Sequence, residues 1–214
     1  MSMELLKKYR FVGLFRHIPP RHALKAAQAM YDGGVRIFEI TFDPSGSTSM
    51  EETAGIIRSL RSYFGDEVSV GAGTVVTMDF ARAACEAGAE FIVAPNTDAE
   101  IIAYTKEHGM LSIPGAYTPT EIVQAWKLGA DVIKIFPILP DGEGYLKNVI
   151  SPLSHIPFMV TGGINPDTIE KFLATGPVAV AAGASIVTRE LVEKGDFDTI
   201  RENARRHTEK ISLT

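Results

Sequence analysis

The segment Leu128-Gly129-Ala130-Asp131-Val132-Ile133-Lys134-Ile135-Phe136 decides the fold. A stretch of helical periodicity, Pro119–Leu128, runs into glycine, and a short apolar, β-branched run follows at once. Glycine at that point fits a helix C-terminus that leads through a tight connection into a strand. Similar phrases stand at Asp32-Gly33-Gly34 and Ala87-Gly88-Ala89, each just ahead of another such run. Working outward, the pattern predicts eight strands: Phe11–Arg16, Val35–Phe42, Val68–Gly71, Phe91–Ala94, Met110–Ile113, Val132–Phe136, Phe158–Val160 and Val178–Ala182. Helices are predicted between them over His22–Asp32, Met50–Tyr63, Met78–Ala87, Ala99–Glu107, Pro119–Leu128, Gly144–Ile150 and Pro166–Ala174. Strict alternation implies a parallel sheet, and eight units favour closure over an open doubly wound sheet. The expectation is an α/β, single-domain (β/α)8 TIM barrel spanning residues 1–214. The longest polar or Gly/Pro-rich excursions, Phe42 to Ser49 and Leu139 to Gly144, both follow strands, where a barrel carries its active site.

Composition narrows the function classes. The chain has 214 residues, 45% of them hydrophobic, enough for one substantial core, and a formal charge of -5 spread along its length. That balance gives no reason to expect nucleic acid or an anionic membrane as partner. No apolar run approaches the ~20 residues of a membrane span, and Met1 to Arg10 lacks the basic-then-apolar layout of a signal peptide, so a cytoplasmic protein is expected. Cys85 is alone, and His17, His22, His108, His155 and His207 stand in no paired ligand spacing, which points to metal-free chemistry. The sequence has no Walker-type loop, and Gly71-Ala72-Gly73 lacks a dinucleotide fingerprint.

Against that background, the polar residues inside strands stand out. Period-2 alternation puts Val132, Lys134 and Phe136 on one face of a strand that a parallel sheet covers on both sides. A buried ammonium must pair or lose its proton. The second outcome is what a Schiff-base lysine needs, a neutral amine at working pH; the competing reading is a lysine that reaches solvent or a structural salt bridge. The same alternation groups Ile37, Glu39 and Thr41. Glu39 is then either the ion-pair partner of a buried lysine or a general acid/base, and both roles can hold together. Arg16, on the parity of Val12 and Leu14, either ends its strand in solvent or grips a carboxylate or phosphate at the mouth. Gly71-Ala72-Gly73-Thr74 and Pro95-Asn96 follow two further strands, where small residues bring backbone close to a ligand and the Thr74 hydroxyl can bond it. Thr161-Gly162-Gly163 and Gly183-Ala184-Ser185 follow the last two strands, the usual place for a barrel's phosphate site; tight turns with no ligand are the alternative.

Four motifs in register, Glu39-Ile40-Thr41, Gly71-Ala72-Gly73-Thr74-Val75, Ile133-Lys134-Ile135-Phe136-Pro137 and Thr161-Gly162-Gly163-Ile164, resemble the 2-keto-3-deoxy-6-phosphogluconate/4-hydroxy-2-oxoglutarate (KDPG/KHG) aldolase family through nearly the whole chain. The resemblance implies a class I aldolase on a trimeric barrel, with no cofactor, that splits a phosphorylated 2-keto-3-deoxy sugar acid into pyruvate and glyceraldehyde 3-phosphate. By the same likeness Lys134 matches the imine-forming lysine, Glu39 the acid/base, Thr74 a pyruvate contact and Phe136 an aromatic beside the imine, while Thr161, Gly162 and Gly163 match the phosphate end. Two positions depart from the pattern. Asp43 stands where many members hold the pyruvate carboxylate with arginine, and Arg16, which resembles the first-strand arginine of the related phosphogalactonate aldolases, is the candidate to replace it. The Pro95-Asn96 pair is also similar to those enzymes. Ala184 stands where the gluconate enzymes commonly carry serine, with Ser185 one position later, so phosphate binding is expected to rest on backbone donors. The alternatives are cleavage of 4-hydroxy-2-oxoglutarate, phosphosugar isomerisation or epimerisation, and a non-catalytic barrel that binds keto acids.

Overall fold

The computed structural model describes residues 1–139 and 142–212. In chain order the elements are α1 (Met3–Tyr9), β1 (Phe11–Phe15), α2 (Pro20–Asp32), β2 (Ile37–Thr41), α3 (Met50–Phe64), β3 (Ser69–Gly73), α4 (Met78–Glu86), β4 (Phe91–Val93), α5 (Ala99–Glu107), β5 (Leu111–Ile113) and β6 (Gly115–Ala116). There follow α6 (Pro119–Lys127), β7 (Ile133–Ile135), α7 (Glu143–Ile150), β8 (Phe158–Thr161), α8 (Ile169–Leu173), β9 (Ala179–Ala182), α9 (Arg189–Lys194) and α10 (Phe197–Ser212). All pairings are parallel, in the order β5-β4-β3-β2-β1-β9-β8-β7-β6. The described residues thus hold nine strands where eight were predicted: the fifth, predicted over Met110–Ile113, is β5, and beyond Pro114, which lacks an amide hydrogen, a further short strand, β6, was not predicted. The ring still closes across that break: Val132 N–H donates to Ser112 O (3.2 Å), Lys134 N–H to Pro114 O (2.9 Å) and Phe136 N–H to Ala116 O (3.2 Å). The result is a (β/α)8-type TIM barrel.

Local chemistry sets the element ends. Ser49 with Glu52 and Thr118 with Glu121 form reciprocal capping boxes, and Thr77, Asp98 and Thr188 cap α4, α5 and α9. Pro20 and Pro119 occupy first helical turns, where an amide hydrogen has no helical partner to lose. Gly88 and Gly129, the residues read as helix stops, take φ 83° and 95°. The predicted helix over Pro166–Ala174 contracts to Ile169–Leu173, and the excursion Leu139 to Gly144 lies partly outside the described residues.

Strand parity divides the core into two. Val70, Ala72, Ile133, Ile135 and Val160 face the helical shell. Val12, Leu14, Ile37, Phe91, Val93, Leu111, Ile113, Val132, Met159, Ala179 and Ala181 fill the barrel interior, and Leu6 of α1 joins them from the N-terminal end of the strands. Three helices lie outside the predicted set: α1, α9 and α10. The last packs on α2 through a stripe of Ile200, Ala204, His207 and Ile211, spaced i, i+4, i+7, i+11. Gly33 permits that approach, since a Cβ there would lie 2.5 Å from Ala204 Cβ.

Candidate active site

β2 and β7 carry the two buried ionisable groups. Lys134 is 3% exposed and Glu39 2%. They lie within Coulombic reach of each other and of Arg16, yet form no ion pair among the described residues. Burial is the main influence on each. It lowers the lysine below its ordinary pKa, against the pull of Glu39 and with the help of Arg16. Burial raises the glutamate, only partly offset by Lys134 and then Arg16. Both shifts favour the neutral forms. Lys134 Nζ sits 4.8 Å from the centroid of Phe136, the next interior residue of its strand. Glu39 Oε2, Thr41 Oγ1 and Thr161 Oγ1 are buried without a hydrogen-bond partner among the described residues, as is Glu143 Oε2 at the start of α7. An unsatisfied buried polar atom costs about 1–3 kcal/mol. The first three share the interior face of the barrel and are atoms that a polar ligand can satisfy.

The Gly71-Ala72-Gly73 run serves neighbouring side chains. A Cβ at Gly71 would collide with the Phe91 ring, and one at Gly73 with the Glu39 carboxylate. The glycines make room for the Phe91 ring of the barrel interior and for the glutamate. Thr74 follows with φ 56°, and His17 at the end of β1 has the same value. A β-branched residue in that region is a true outlier, held by its surroundings.

Three adjoining cavities are lined by neighbours of this pair, Arg16, Thr41, Phe136 and Thr161 among them, while Lys134 and Glu39 themselves line none of the three. The largest, ≈ 590 Å³, is lined by Leu14, Arg16, His17, Phe136, Thr161 to Asn165, Ala181 to Ser185 and Val187 to Arg189. A second, ≈ 400 Å³, lies among Arg16, His17, Thr41 to Ser45 and Thr74. A third, ≈ 290 Å³, holds Pro95, Asn96, Gly115, Tyr117 and Phe136. Arg16, Thr41, Thr74, Pro95, Phe136, Thr161 to Gly163, Gly183 and Ser185, singled out in the sequence, line these spaces, with Arg16 joining the first two and Phe136 the first and third. Among the described residues lining the largest cavity the ionisable side chains are Arg16, His17 and Arg189, all basic. Asp43 is committed elsewhere: its carboxylate accepts from Ser45 N–H (2.9 Å), the Ser45 hydroxyl (2.6 Å) and Thr48 N–H (3.2 Å), and those bonds, the hydroxyl's first, hold it below the usual carboxylate range. It stabilises the loop after β2 and leaves Arg16 as the cation nearest the glutamate and lysine. Ser185 is also engaged: its hydroxyl lies 3.0 Å from Ile164 O and 2.9 Å from His207 Nε2. Among the described residues no group of three or more His, Cys, Asp or Glu is placed to hold a metal, and no helix is long and apolar enough to cross a membrane.

The family model described as KDPG and KHG aldolase matches residues 3–203. The chain belongs to this family. A KDPG/KHG-family aldolase is an aldehyde-lyase that works through a Schiff base, and the chain is an enzyme of that class. It is similar to 2-dehydro-3-deoxy-phosphogluconate aldolase of Treponema pallidum, 31% identical over 198 residues that cover 92% of this chain and 91% of the relative. It is also similar to 2-dehydro-3-deoxy-6-phosphogalactonate aldolase of Escherichia coli, 30% identical over 185 residues, 86% and 87% of the two chains. Among solved structures, the KDPG aldolase of Legionella pneumophila with pyruvate captured as a covalent carbinolamine shares the fold, with a TM-score of 0.86 over 97% and 98% of the chains and 24% identity. His207, Asn203, His17 and Arg189 were not singled out as site residues in the sequence; the signal available was the i, i+4 spacing of Asn203 and His207 on a helix, which does not say what they face.

Proposed function

We propose that this aldolase cleaves 2-keto-3-deoxy-6-phosphogluconate, or its galactonate epimer, to pyruvate and glyceraldehyde 3-phosphate through an imine on Lys134. The observation that carries the reading is the pair Lys134 and Glu39, both buried, unpaired and biased toward neutrality, beneath a mouth whose lining is basic. A neutral Lys134 amine attacks the substrate's C2 carbonyl, and loss of water gives the imine. The imine nitrogen then takes up the electron pair released when the C3–C4 bond breaks. Glu39, protonated in its buried site, gives its proton to the carbinolamine hydroxyl as water leaves; the carboxylate so formed takes the C4 hydroxyl proton as the C3–C4 bond breaks and returns it to C3 of the enamine, and hydrolysis frees pyruvate. Thr41, Thr74 and Arg16 bind the pyruvate end, with Arg16 on the carboxylate in the place that Asp43 cannot fill. Phe136 and Pro95 flank the imine. Backbone of Thr161, Gly162, Gly163, Gly183 and Ser185 receives the phosphate, with the basic rim favouring a dianion. Family membership supports residues 1–214 acting as one aldolase domain, on small-molecule keto acids, as a homotrimer in the cytoplasm.

Borohydride reduction with pyruvate, followed by peptide mass spectrometry and with Lys134→Ala as control, tests the imine. A pyruvyl adduct confined to the Lys134 peptide is expected; folded, active enzyme without that adduct overturns the assignment. Cleavage rates on phosphorylated and plain substrates, 4-hydroxy-2-oxoglutarate among them, test the substrate, and a preference for the plain acid would overturn that half of the reading.

A further inference from the structure

α10 reaches the turn after β9 with two side chains one helical turn apart. Asn203 Nδ2 donates to Ile186 O (3.2 Å), and His207 Nε2 lies 2.9 Å from Ser185 Oγ. His207 is fully buried, with its ring 5.6 Å from that of Phe11 on β1. Its Nδ1 lies 2.7 Å from the Asn203 carbonyl oxygen. A carbonyl only accepts, so Nδ1 carries the hydrogen; in the neutral ring that burial favours, Nε2 is then an acceptor facing the Ser185 hydroxyl. The same hydroxyl stands 3.0 Å from Ile164 O, so its one hydrogen is shared between Nε2 and that carbonyl, and Ser185 sits at the junction of the loop after β8, the turn after β9 and α10. The turn itself is tight: Ile186 N–H and Val187 N–H both donate to Gly183 O (2.8 and 2.9 Å), and a Cβ on Gly183 would lie 2.9 Å from Leu14 Cβ. Ala184 supplies no side-chain polar group to this turn, so the direction of its backbone groups is what remains to recognise an anion.

We propose that His207, together with Asn203, is a positioning residue that fixes the Gly183-Ala184-Ser185 turn for the phosphate end of the substrate. The inference rests on the substrate reading given above, and adds the part of the chain that holds this subsite in shape. His207 touches no substrate atom; it acts through Ser185.

The test compares wild type, His207→Phe, Ser185→Ala, their double variant and the conservative His207→Gln. Steady-state kinetics on 2-keto-3-deoxy-6-phosphogluconate and on unphosphorylated 2-keto-3-deoxygluconate are combined with hydrogen–deuterium exchange of the peptide covering residues 183–187. For His207→Phe the ratio of kcat/KM on the phosphorylated to the plain substrate is expected to fall at least tenfold, through KM, with faster exchange at the turn. Ser185→Ala should reproduce the fall, the double variant should add little, and His207→Gln should recover part of it. Equal losses on both substrates, or unaltered exchange in 183–187, would overturn the proposal. Should His207→Phe not fold, His207→Asn, too short to reach Ser185, carries the same readouts. A wild-type enzyme with no preference for the phosphorylated substrate overturns the substrate reading and the proposal together, whereas a preference that the variants retain overturns the proposal alone.

Discussion

At Lys134 and Glu39 the folded chain favours forms that the unfolded chain does not hold at neutral pH. Below the ordinary lysine pKa of about 10.4, the unfolded chain binds a proton that the folded one gives up, so stability falls as pH drops from there toward the depressed folded value. For Glu39 the folded pKa is raised, so stability is fullest below the ordinary value of about 4.3 and falls as pH rises toward the folded one. Both groups therefore oppose folding near neutrality. Lys134→Met, close in length and apolar, is expected to abolish turnover and to melt at or above the wild-type temperature; a clear drop in thermal denaturation would mean that an ion pair stabilises the ammonium. The same fields set the pH–rate profile, whose limbs belong to the pair as a unit. The limb reporting deprotonation of the amine should lie below the ordinary lysine range. Glu39→Gln removes the influence that raises the lysine, so in pyruvate trapping that limb should move to lower pH, while kcat for cleavage falls about 10²–10⁴-fold. A limb that stays put would show that Glu39 carries no charge felt by Lys134.

Among the elements, β3 shows how much of a catalytic geometry is spent on leaving space. Gly73→Ala puts a methyl where the Glu39 carboxylate lies. Overpacking of this kind costs about 1–3 kcal/mol, and a displacement of about 1 Å of a catalytic group costs about 10²-fold in rate. The variant should fold with a modestly lower melting temperature and lose kcat out of proportion to it; a rate within tenfold of wild type would mean that the glutamate finds its place by another rotamer. This is also where the sequence is legible only in part. Period-2 parity grouped Lys134 with Val132 and Phe136, Glu39 with Ile37 and Thr41, and Arg16 with Val12 and Leu14, because a strand's faces alternate whatever its neighbours are, while leaving open what each face meets. The use of Gly73 needs strand β2 beside it in the register Thr41↔Gly73, and that of Gly71 needs β4, which carries Phe91, on the other side. The role of His207 was hidden for a similar reason: α10 shows its apolar stripe only when histidine is counted as buried, and burial is settled by what α2 and the turn after β9 bring to it. The break at Pro114 was legible as a proline inside an apolar run, but its small effect on closure depends on β7 bonding to both sides of it.

For the molecule as a whole, the N-terminal end of the barrel is sealed. Leu6 of α1, fully buried, completes an interior of apolar side chains that lies beneath the reacting pair. Leu6→Ala is expected to cost about 2–5 kcal/mol in denaturant unfolding, with little change in KM; a loss under about 1 kcal/mol would show that the plug is dispensable. A barrel plugged at its N-terminal end also suggests an order of emptying. If the imine forms on Lys134, the three-carbon piece is held on a buried interior residue, whereas the aldehyde half would lie by Gly162 and Gly183, which line the ≈ 590 Å³ cavity. The aldehyde should therefore depart first and pyruvate last. Product inhibition reads that queue directly: pyruvate should compete with substrate for the emptied enzyme, whereas the aldehyde should inhibit with a mixed pattern. The reverse assignment would mean that the floor opens during turnover.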